Sequence, residues 1–155
     1  MQHALVTDDA IERLYREQGR RLWAAVLTYA RDRSIADDAV AEAFAQVIRR
    51  GAEVREPRAW VWAAAFRIAA GELQRRSALD AAVPDTSYEH DLAGTEILGE
   101  VAKLPERQRA AVLLHYYADR PVSEAAAILD MSPATFRVHL HRARKHLSQT
   151  LGDQR

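Results

Sequence analysis

Apolar residues recur every three or four positions along almost the whole of this 155-residue chain. That spacing is the period of an amphipathic helix, and no stretch shows the strict alternation of apolar and polar residues that marks a half-buried strand. Hydrophobic residues make up 48% of the chain, which is enough to fill real helical cores. The pattern therefore predicts an all-α fold.

The first half predicts three helices with recognisable ends. Thr7 is placed to cap the first helix, and Ser34, followed three residues later by an acid, resembles a capping box that opens the second. Gly51 is a typical helix terminator, and Pro57 suits the first turn of a third helix that closes near residue 76. These elements predict a first helical domain over residues 1–76.

Residues 77–94 lack helical periodicity and contain Pro84 and Gly94. The segment has no lysine or arginine, and its acidic residues are Asp80, Asp85, Glu89 and Asp91. A polar stretch with Pro and Gly between two periodic regions is typical of an interdomain linker. We expect a flexible acidic linker that joins the first domain to a second over residues 95–155.

The second half predicts four further helices. A short helix covers residues 96–103, Pro105 begins the next, and Pro121 begins the one after it. Ser132 caps the last helix and Pro133 takes its first position, which is a strong start signal. Only a short turn is left between the last two helices.

Residues 124–137 have the layout of a helix-turn-helix, in which two helices cross steeply around a short turn. Ala126 supplies the small residue that such a crossing needs, and Asp130 tolerates a left-handed turn better than most residues. The second helix carries an apolar stripe for burial, formed by Phe136, Leu140, Ala143, Leu147 and Leu151. The segment predicts a DNA-reading motif whose last helix enters the major groove.

The formal net charge of the chain is zero, so the distribution of charge is more informative than its sum. Residues 134–147 contain basic side chains and no acid. A helical hairpin with a solvated basic face is the alternative, but the small residue, the short turn and the Ser-Pro start favour DNA binding. The candidate DNA-contacting residues are Ser132, Ala134, Thr135, Arg137, Val138, His141, Arg142, Arg144 and Lys145.

The composition argues against enzymatic chemistry. Without cysteine there is no disulfide framework, thiolate nucleophile or Cys-based zinc site. His139 and His141 project about 200° apart on a helix, so they cannot share a metal ion, and no phosphate-binding or dinucleotide motif is present. We expect a protein that is not an enzyme and holds no metal or cofactor.

No apolar run is long enough to span a bilayer, which predicts a cytoplasmic protein without membrane insertion.

Several segments carry a family resemblance. Leu104-Pro-Glu-Arg-Gln-Arg109, Val112-Leu-Leu-His-Tyr-Tyr117 and Leu140-His-Arg-Ala-Arg-Lys145 resemble region 4 of the extracytoplasmic-function (ECF) sigma factors of bacterial RNA polymerase. In the first half, Ala36-Asp-Asp-Ala-Val-Ala-Glu-Ala-Phe44 resembles region 2.2, and Pro57-Arg-Ala-Trp-Val-Trp62 resembles the start of region 2.3. The resemblance covers residues 9–76 and 95–148, in the order of the family.

This resemblance implies an initiation factor of two small helical domains that directs core RNA polymerase to promoters. Region 2 of the family docks on the clamp helices of the β′ subunit and melts the −10 element, and region 4 binds the β flap and reads the −35 element as duplex. An anti-sigma factor is an implied further partner. The implied polymerase-binding residues are Asp37, Asp38, Val40, Glu42 and Phe44. The implied −10 contacts are Trp62, Arg67, Arg75 and Arg76.

Some of these residues have a packing alternative. Val40 and Phe44 fit a helix core equally well, and for Phe44 we favour packing. Of the two tryptophans in the region 2.3 segment, Trp60 is expected to pack, whereas Trp62 is expected to be exposed and able to stack on an unpaired base.

Region 2.3 also departs from the family. Arg67 and Gly71 stand where the family usually has Asn and Asp, and a glycine offers nothing to a flipped base. These departures motivate one alternative, a diverged sigma-like regulator that initiates poorly. A second alternative, from another class, is a free-standing helix-turn-helix repressor whose front half is a dimerisation or ligand domain.

Overall fold

The computed structural model describes residues 8–79 and 96–152, and these residues form helices joined by short turns. The first range, called the front unit, contains α1 (Asp8–Ala30), α2 (Arg33–Arg50), a 3-10 turn (Gly51–Glu53) and α3 (Pro57–Ala78). The predicted cap Thr7 and residues 80–95, which include most of the predicted linker (77–94), lie outside the described residues. The all-α prediction is confirmed, and α3 continues two residues beyond the predicted domain end.

The helix ends of the front unit follow local chemistry. Arg31 adopts a left-handed backbone with φ 56°, and its N–H donates to the Leu27 carbonyl at 2.7 Å, which closes α1. The predicted capping box at Ser34 is wrong. Asp32 caps α2 instead, because its extended backbone lets the carboxylate accept from the Ile35 N–H at 3.0 Å. Gly51, with φ 52°, ends α2 as predicted.

The core of the front unit is aromatic and alanine-rich. Trp62 and Phe66 of α3 are completely buried, and Tyr29 of α1 stacks on Phe66 with ring centroids 5.3 Å apart. Small alanines on all three helices let the backbones approach closely around these rings. Large rings and small neighbours interdigitate in this way in close-packed interiors.

Residues 96–152, called the rear unit, contain four α-helices: α4 (Glu96–Ala102), α5 (Glu106–Val112), α6 (Val122–Ile128) and α7 (Pro133–Gly152). A π-helical turn (Leu113–Tyr117) follows α5 directly. Pro105 and Pro121 immediately precede α5 and α6, so the predicted starts are confirmed to within a residue.

The predicted helix-turn-helix is present as α6, a tight turn and α7. Asp130 adopts φ 55° in the turn, and the Met131 N–H donates to the carbonyl of the fully buried Ala126 at 3.0 Å. The Ser132 hydroxyl accepts from the Thr135 N–H at 3.1 Å and caps α7. The predicted stripe is buried at Phe136, Leu140 and Ala143 and partly buried at Leu147.

The two units pack against each other, with α1 lying beside α4 and α5 and α3 lying beside α6. Their buried residues form one continuous cluster. Arg109 of α5 is only 4% exposed and donates to the Tyr29 carbonyl at the end of α1. The described residues therefore form a closed arrangement of front and rear units.

Candidate nucleic-acid interface

The outward face of α7 opposes the stripe that anchors it. All nine predicted DNA contacts are exposed to solvent: Ser132, Ala134, Thr135, Arg137, Val138, His141, Arg142, Arg144 and Lys145. Val138 is 47% exposed, which makes it an apolar group on the face that would meet base edges, where a thymine methyl is its natural contact. The structure thus brings the predicted residues onto one accessible side of the helix-turn-helix.

Arg144 differs from the other basic residues of α7. Its Nε donates to the Tyr116 hydroxyl, and its guanidinium lies 5.4 Å from the centre of the Tyr116 ring. Tyr116 belongs to the π-helical turn, so this pair ties α7 to the rest of the rear unit. Arg137, Arg142 and Lys145 project further from the buried stripe, and they form the basic part of the outward face.

Two histidines flank the buried side of α7. Burial, followed by the positive charges of Arg107 and Arg142, lowers the pKa of His139 below its ordinary value of 6.5. A ring that stays neutral suits a site crowded by cations, because protonation would add a third positive charge. The ring of His146 lies 3.1 Å from the Gln108 side-chain oxygen, so it links α7 to α5.

The prediction that Trp62 is exposed is wrong. Trp62 is completely buried, and its indole N–H donates to the Gln18 side-chain oxygen at 3.1 Å. The reason lies in the helical register of α3, because Trp62, Phe66 and Ala69 are spaced by four and three and therefore share the face that packs into the core.

Trp60 is the more accessible tryptophan of the pair. It is partly buried, and the Arg50 guanidinium lies 5.1 Å from its ring centre, a cation–π contact. Its indole nitrogen is shielded from solvent and has no hydrogen-bond partner among the described residues. The expectation that Trp60 packs is therefore only half met, since the ring also borders a groove.

That groove lies between α3 and α6 and has a volume of about 520 Å³. Trp60, Ala63 and the exposed Arg67 line its α3 wall, and Arg120 and Glu124 line the opposite wall. The predicted −10 residue Arg67 is thus accessible, but it faces the rear unit across the groove.

Arg75 and Arg76 are held by carboxylates of the front unit. Arg75 pairs with Glu72, and Arg76 pairs with both Asp32 and Glu72. Hydrogen bonding to Arg75 is the main reason that the pKa of Glu72 is lowered. Arg76 connects α3 to the cap of α2, so it contributes to the packing of the front unit, whereas Arg75 stays more exposed.

The predicted polymerase-binding residues of α2 separate into two groups. Asp37, Asp38 and Glu42 are exposed on its outward face. Val40 and Phe44 are 7% and 6% exposed, which agrees with the packing preference for Phe44 and with the packing alternative for Val40, although Val40 also lines a groove between α1 and α2. Both lie on the face of α2 that packs against the other helices of the front unit.

An aromatic groove beside these acids escaped the sequence analysis. It has a volume of about 570 Å³ and lies between α1 and α2. Tyr15, 61% exposed, stands edge-on to Phe44 with ring centroids 5.1 Å apart. The Trp23 indole N–H donates to the Asp37 carboxylate at 2.8 Å. The signal that could have revealed the groove is the spacing of Tyr15, Gly19 and Trp23, four residues apart on one face of α1.

Comparison with known proteins places this geometry in a family. Residues 95–147 match the family described as sigma-70, region 4. Over 129 residues the chain is 30% identical to RNA polymerase sigma-E factor of Streptomyces avermitilis, a match that covers 83% of this chain and 66% of the relative. The chain belongs to the extracytoplasmic-function group of the sigma-70 family. It spans just under two thirds of the length of that relative.

Two solved structures share the fold of this sigma factor. One is CnrH in complex with the cytosolic domain of CnrY, with a TM-score of 0.62, 23% identity, and coverage of 99% of this chain and 95% of CnrH. The other is the Mycobacterium tuberculosis extracytoplasmic function sigma factor SigJ, with a TM-score of 0.61, 23% identity, and coverage of 86% and 52%. Both confirm the all-helical architecture of this sigma factor.

Two further findings concern residues 8–79 and 96–152 of the sigma factor. No helix in these ranges combines the length and apolarity needed to cross a bilayer. Within the same ranges, no group of three or more His, Asp or Glu side chains is arranged to hold a metal ion.

Proposed function

We propose that this sigma factor binds core RNA polymerase in the cytoplasm and directs it to a set of promoters, as a non-enzymatic subunit. The observation that carries the proposal is the exposed, acid-free outward face of α7 on a region 4 helix-turn-helix, in one chain with a region 2-like front unit. Arg137 and its neighbours at the start of α7 would read the −35 element, because the first turns of a recognition helix meet base edges.

The front unit supports the polymerase half of the proposal. Asp37, Asp38 and Glu42 form an exposed acidic edge on α2, of which Asp37 lines the aromatic groove with Tyr15 and Trp23 and Glu42 pairs with Arg49. An apolar groove with a charged rim has the layout of a protein–protein interface, and we assign it to the β′ clamp helices. The rear unit would contact the β flap. CnrH was solved with the cytosolic domain of another protein, which supports including an anti-sigma factor among the partners.

Near-zero net charge agrees with this mode of action. Few phosphate contacts give weak affinity for DNA in the free protein, so promoter binding would depend on assembly with polymerase. A free-standing repressor would instead need tight operator binding by itself.

Reconstitution with core polymerase tests the proposal. Transcription from a promoter library should give defined start sites that share a −10/−35 pair. Asp38→Lys, on the acidic edge of α2, should weaken core binding, whereas Glu17→Lys, an equal charge change at an exposed position of α1, should leave it nearly unchanged. Tight operator binding by the free protein together with no core association would overturn the proposal.

Core binding without transcripts would favour a diverged sigma-like regulator, and Arg67 and Gly71 allow a direct check. Both residues are exposed, and a Cβ added at Gly71 would meet nothing within 4 Å. The double substitution Arg67→Asn with Gly71→Asp restores the residues usual in the family without a clash. Transcripts from this variant alone would locate the deficiency in strand melting rather than in core binding.

A further inference from the structure

The centre of the outward face of α7 is apolar, although the face as a whole is basic. At about 100° of rotation per residue, Val138 lies within about 10° of the direction opposite the buried stripe, and Ala134 lies within about 30° of it. Val138 is 47% exposed, and Ala134 is exposed one helical turn before it. Arg137 and Arg142 lie on either side of this line. The side chains that point most directly away from the core in the first two turns therefore carry no polar atom.

Thr135 adds a methyl group to this surface. Its backbone N–H donates to the Ser132 hydroxyl oxygen at 3.1 Å, and the Ser132 hydroxyl donates to the Thr135 hydroxyl oxygen at 2.9 Å. The polar atoms of Thr135 are thus engaged at the cap of α7, so the methyl group is the part of this exposed side chain that is left for a ligand. Ala134, Thr135 and Val138 are called the apolar patch.

The residue types of α7 limit which bases the helix can read. Asn and Gln, which pair with adenine, and Asp and Glu, which accept from cytosine, are absent from residues 132–147. Arg137 is suited to guanine. The apolar patch is suited to the C5-methyl group of thymine, which is the apolar group that a base edge presents in the major groove.

A single exposed apolar side chain is common on protein surfaces and by itself indicates no function. The apolar patch differs because it occupies the first turns of a recognition helix, the part that meets base edges. A β-branched valine is also a poorer helix former than alanine or lysine at a solvated position. Contact with a base methyl group offsets that cost by removing the valine from water.

We propose that the apolar patch reads thymine through its C5-methyl group, and that Val138 is a specificity-determining residue of the −35 contact. The inference rests on the proposed function, since it assigns α7 to the −35 duplex. Deoxyuridine has the hydrogen-bonding groups of thymidine without the methyl group, so it is disfavoured at this position. 5-Methylcytosine carries the same methyl group at the same place in the groove, so it is preferred there over cytosine.

The test starts from duplexes selected out of a random-sequence pool by the full chain, both alone at low salt, where phosphate contacts give most affinity, and assembled with core polymerase. Each thymidine of the selected site is then replaced singly by deoxyuridine. At one position the replacement should weaken binding about three- to fivefold, the effect of one buried methyl group. 5-Methylcytosine in place of cytosine at that position should tighten binding by a similar factor.

Val138→Ala separates contact with the protein from an effect of the methyl group on DNA shape. Alanine is a better helix former than valine, so the variant should fold, and its affinities for the thymidine and deoxyuridine duplexes should differ by less than about 1.5-fold. Ile97→Ala is the matched control, because it shortens an apolar side chain of α4 that is 53% exposed. This variant should discriminate between the two duplexes as well as the unsubstituted protein does.

Discrimination that persists in Val138→Ala would come from the DNA itself and would overturn the inference. A selected site without any thymidine sensitive to the replacement would also overturn it, as would failure of both forms to enrich a site. The ratio of affinities is measured on the free chain as well, so a lack of core association would count against the proposed function and leave the methyl contact standing. Promoter-specific transcription without a methyl-sensitive position would count against this inference alone.

Discussion

The Nε of Arg109 donates a 2.9 Å hydrogen bond to the backbone carbonyl of Tyr29, 80 residues away in the chain. A second guanidinium nitrogen donates to the Leu104 carbonyl at 2.8 Å. The side chain is 4% exposed, and a buried charge is stable only when such hydrogen bonds offset its lost hydration. One arginine thus joins the end of α1 to the start of α5.

We expect Arg109→Met to lower the free energy of unfolding by about 2–4 kcal/mol, because it leaves two buried carbonyls without a donor. The free energy of unfolding of Arg109→Lys should lie between those of the unsubstituted protein and Arg109→Met, since an ammonium lacks the rigid fork that reaches both carbonyls. Urea denaturation measures both. Arg107→Met, at the exposed neighbouring position, is the control and should change stability by less than about 0.5 kcal/mol. Equal losses at the two positions would contradict the assignment.

The two tryptophans of α3 should respond in opposite ways to truncation. Trp62→Ala removes a completely buried ring and should cost about 3–5 kcal/mol of stability. Trp60→Ala should leave a folded protein that binds single strands about 1–3 kcal/mol more weakly, if Trp60 stacks on a base. Thermal unfolding and anisotropy titrations separate the two effects. A Trp62→Ala protein that folds normally but loses single-strand binding would contradict this assignment, in which Trp62 packs and Trp60 stacks on a base.

Asp130 occupies a left-handed backbone position, with φ 55°, that costs an L-residue about 1 kcal/mol. Asp130→Gly should therefore keep or raise stability, by at most about 1 kcal/mol. Asp130→Val should lower it by about 1–2 kcal/mol, because β-branched residues tolerate this conformation poorly. Asp130→Asn, which removes only the charge, is the control. A Val variant as stable as the Asn variant would show that the turn adopts another backbone conformation.

Arg137 stands on the outward face near the start of α7, where side chains reach base edges. If it reads a base, Arg137→Ala should relax preference at one −35 position by about 1–3 kcal/mol. Lys145→Ala, further along the same helix, should weaken binding to all sequences and reduce the salt slope by about 1. Holoenzyme binding to a −35 library at several salt concentrations measures both. An equal loss of affinity for all −35 sequences in the Arg137→Ala variant would instead identify Arg137 as a phosphate contact.

The pKa of His139 is lowered by burial and by Arg107 and Arg142, which gives stability a pH dependence of definite sign. Below pH 6.5, the ordinary value, the unfolded chain binds the proton more readily than the folded one. The contribution of the neutral His139 ring to the free energy of unfolding is therefore fully present above that pH. It is lost as the pH falls toward the lowered pKa of His139 in the folded protein. His139→Gln should flatten the profile of stability from pH 7 to 5.

The NMR titration of the His139 ring provides the independent check. Arg107→Gln removes one of the two cations and should raise the pKa of His139. A pKa unchanged by this substitution would leave burial and Arg142 as its causes and would contradict the assigned role of Arg107.

Features that depend on neighbours in the chain were predictable. Ser132 and Pro133 marked the start of α7, Gly51 marked the end of α2, and Asp130 marked the turn. Asp32 was missed as the cap of α2, because Ser34 offered an equally plausible local pattern two residues later. The exposed outward face of α7 followed from the spacing of its buried stripe, since only the opposite side of that helix is left.

The sequence by itself determined the helices, the helix-turn-helix and the family, because helical period, caps and turn residues are read over a few adjacent positions. The tertiary structure alone decided that Trp62 is buried while Trp60 borders a groove, that Val40 packs inward, and that Arg109 satisfies the end of a distant helix. These outcomes depend on how each helix is rotated and docked against its neighbours. Rotation and docking are set by packing between residues far apart in the chain, which no local pattern encodes.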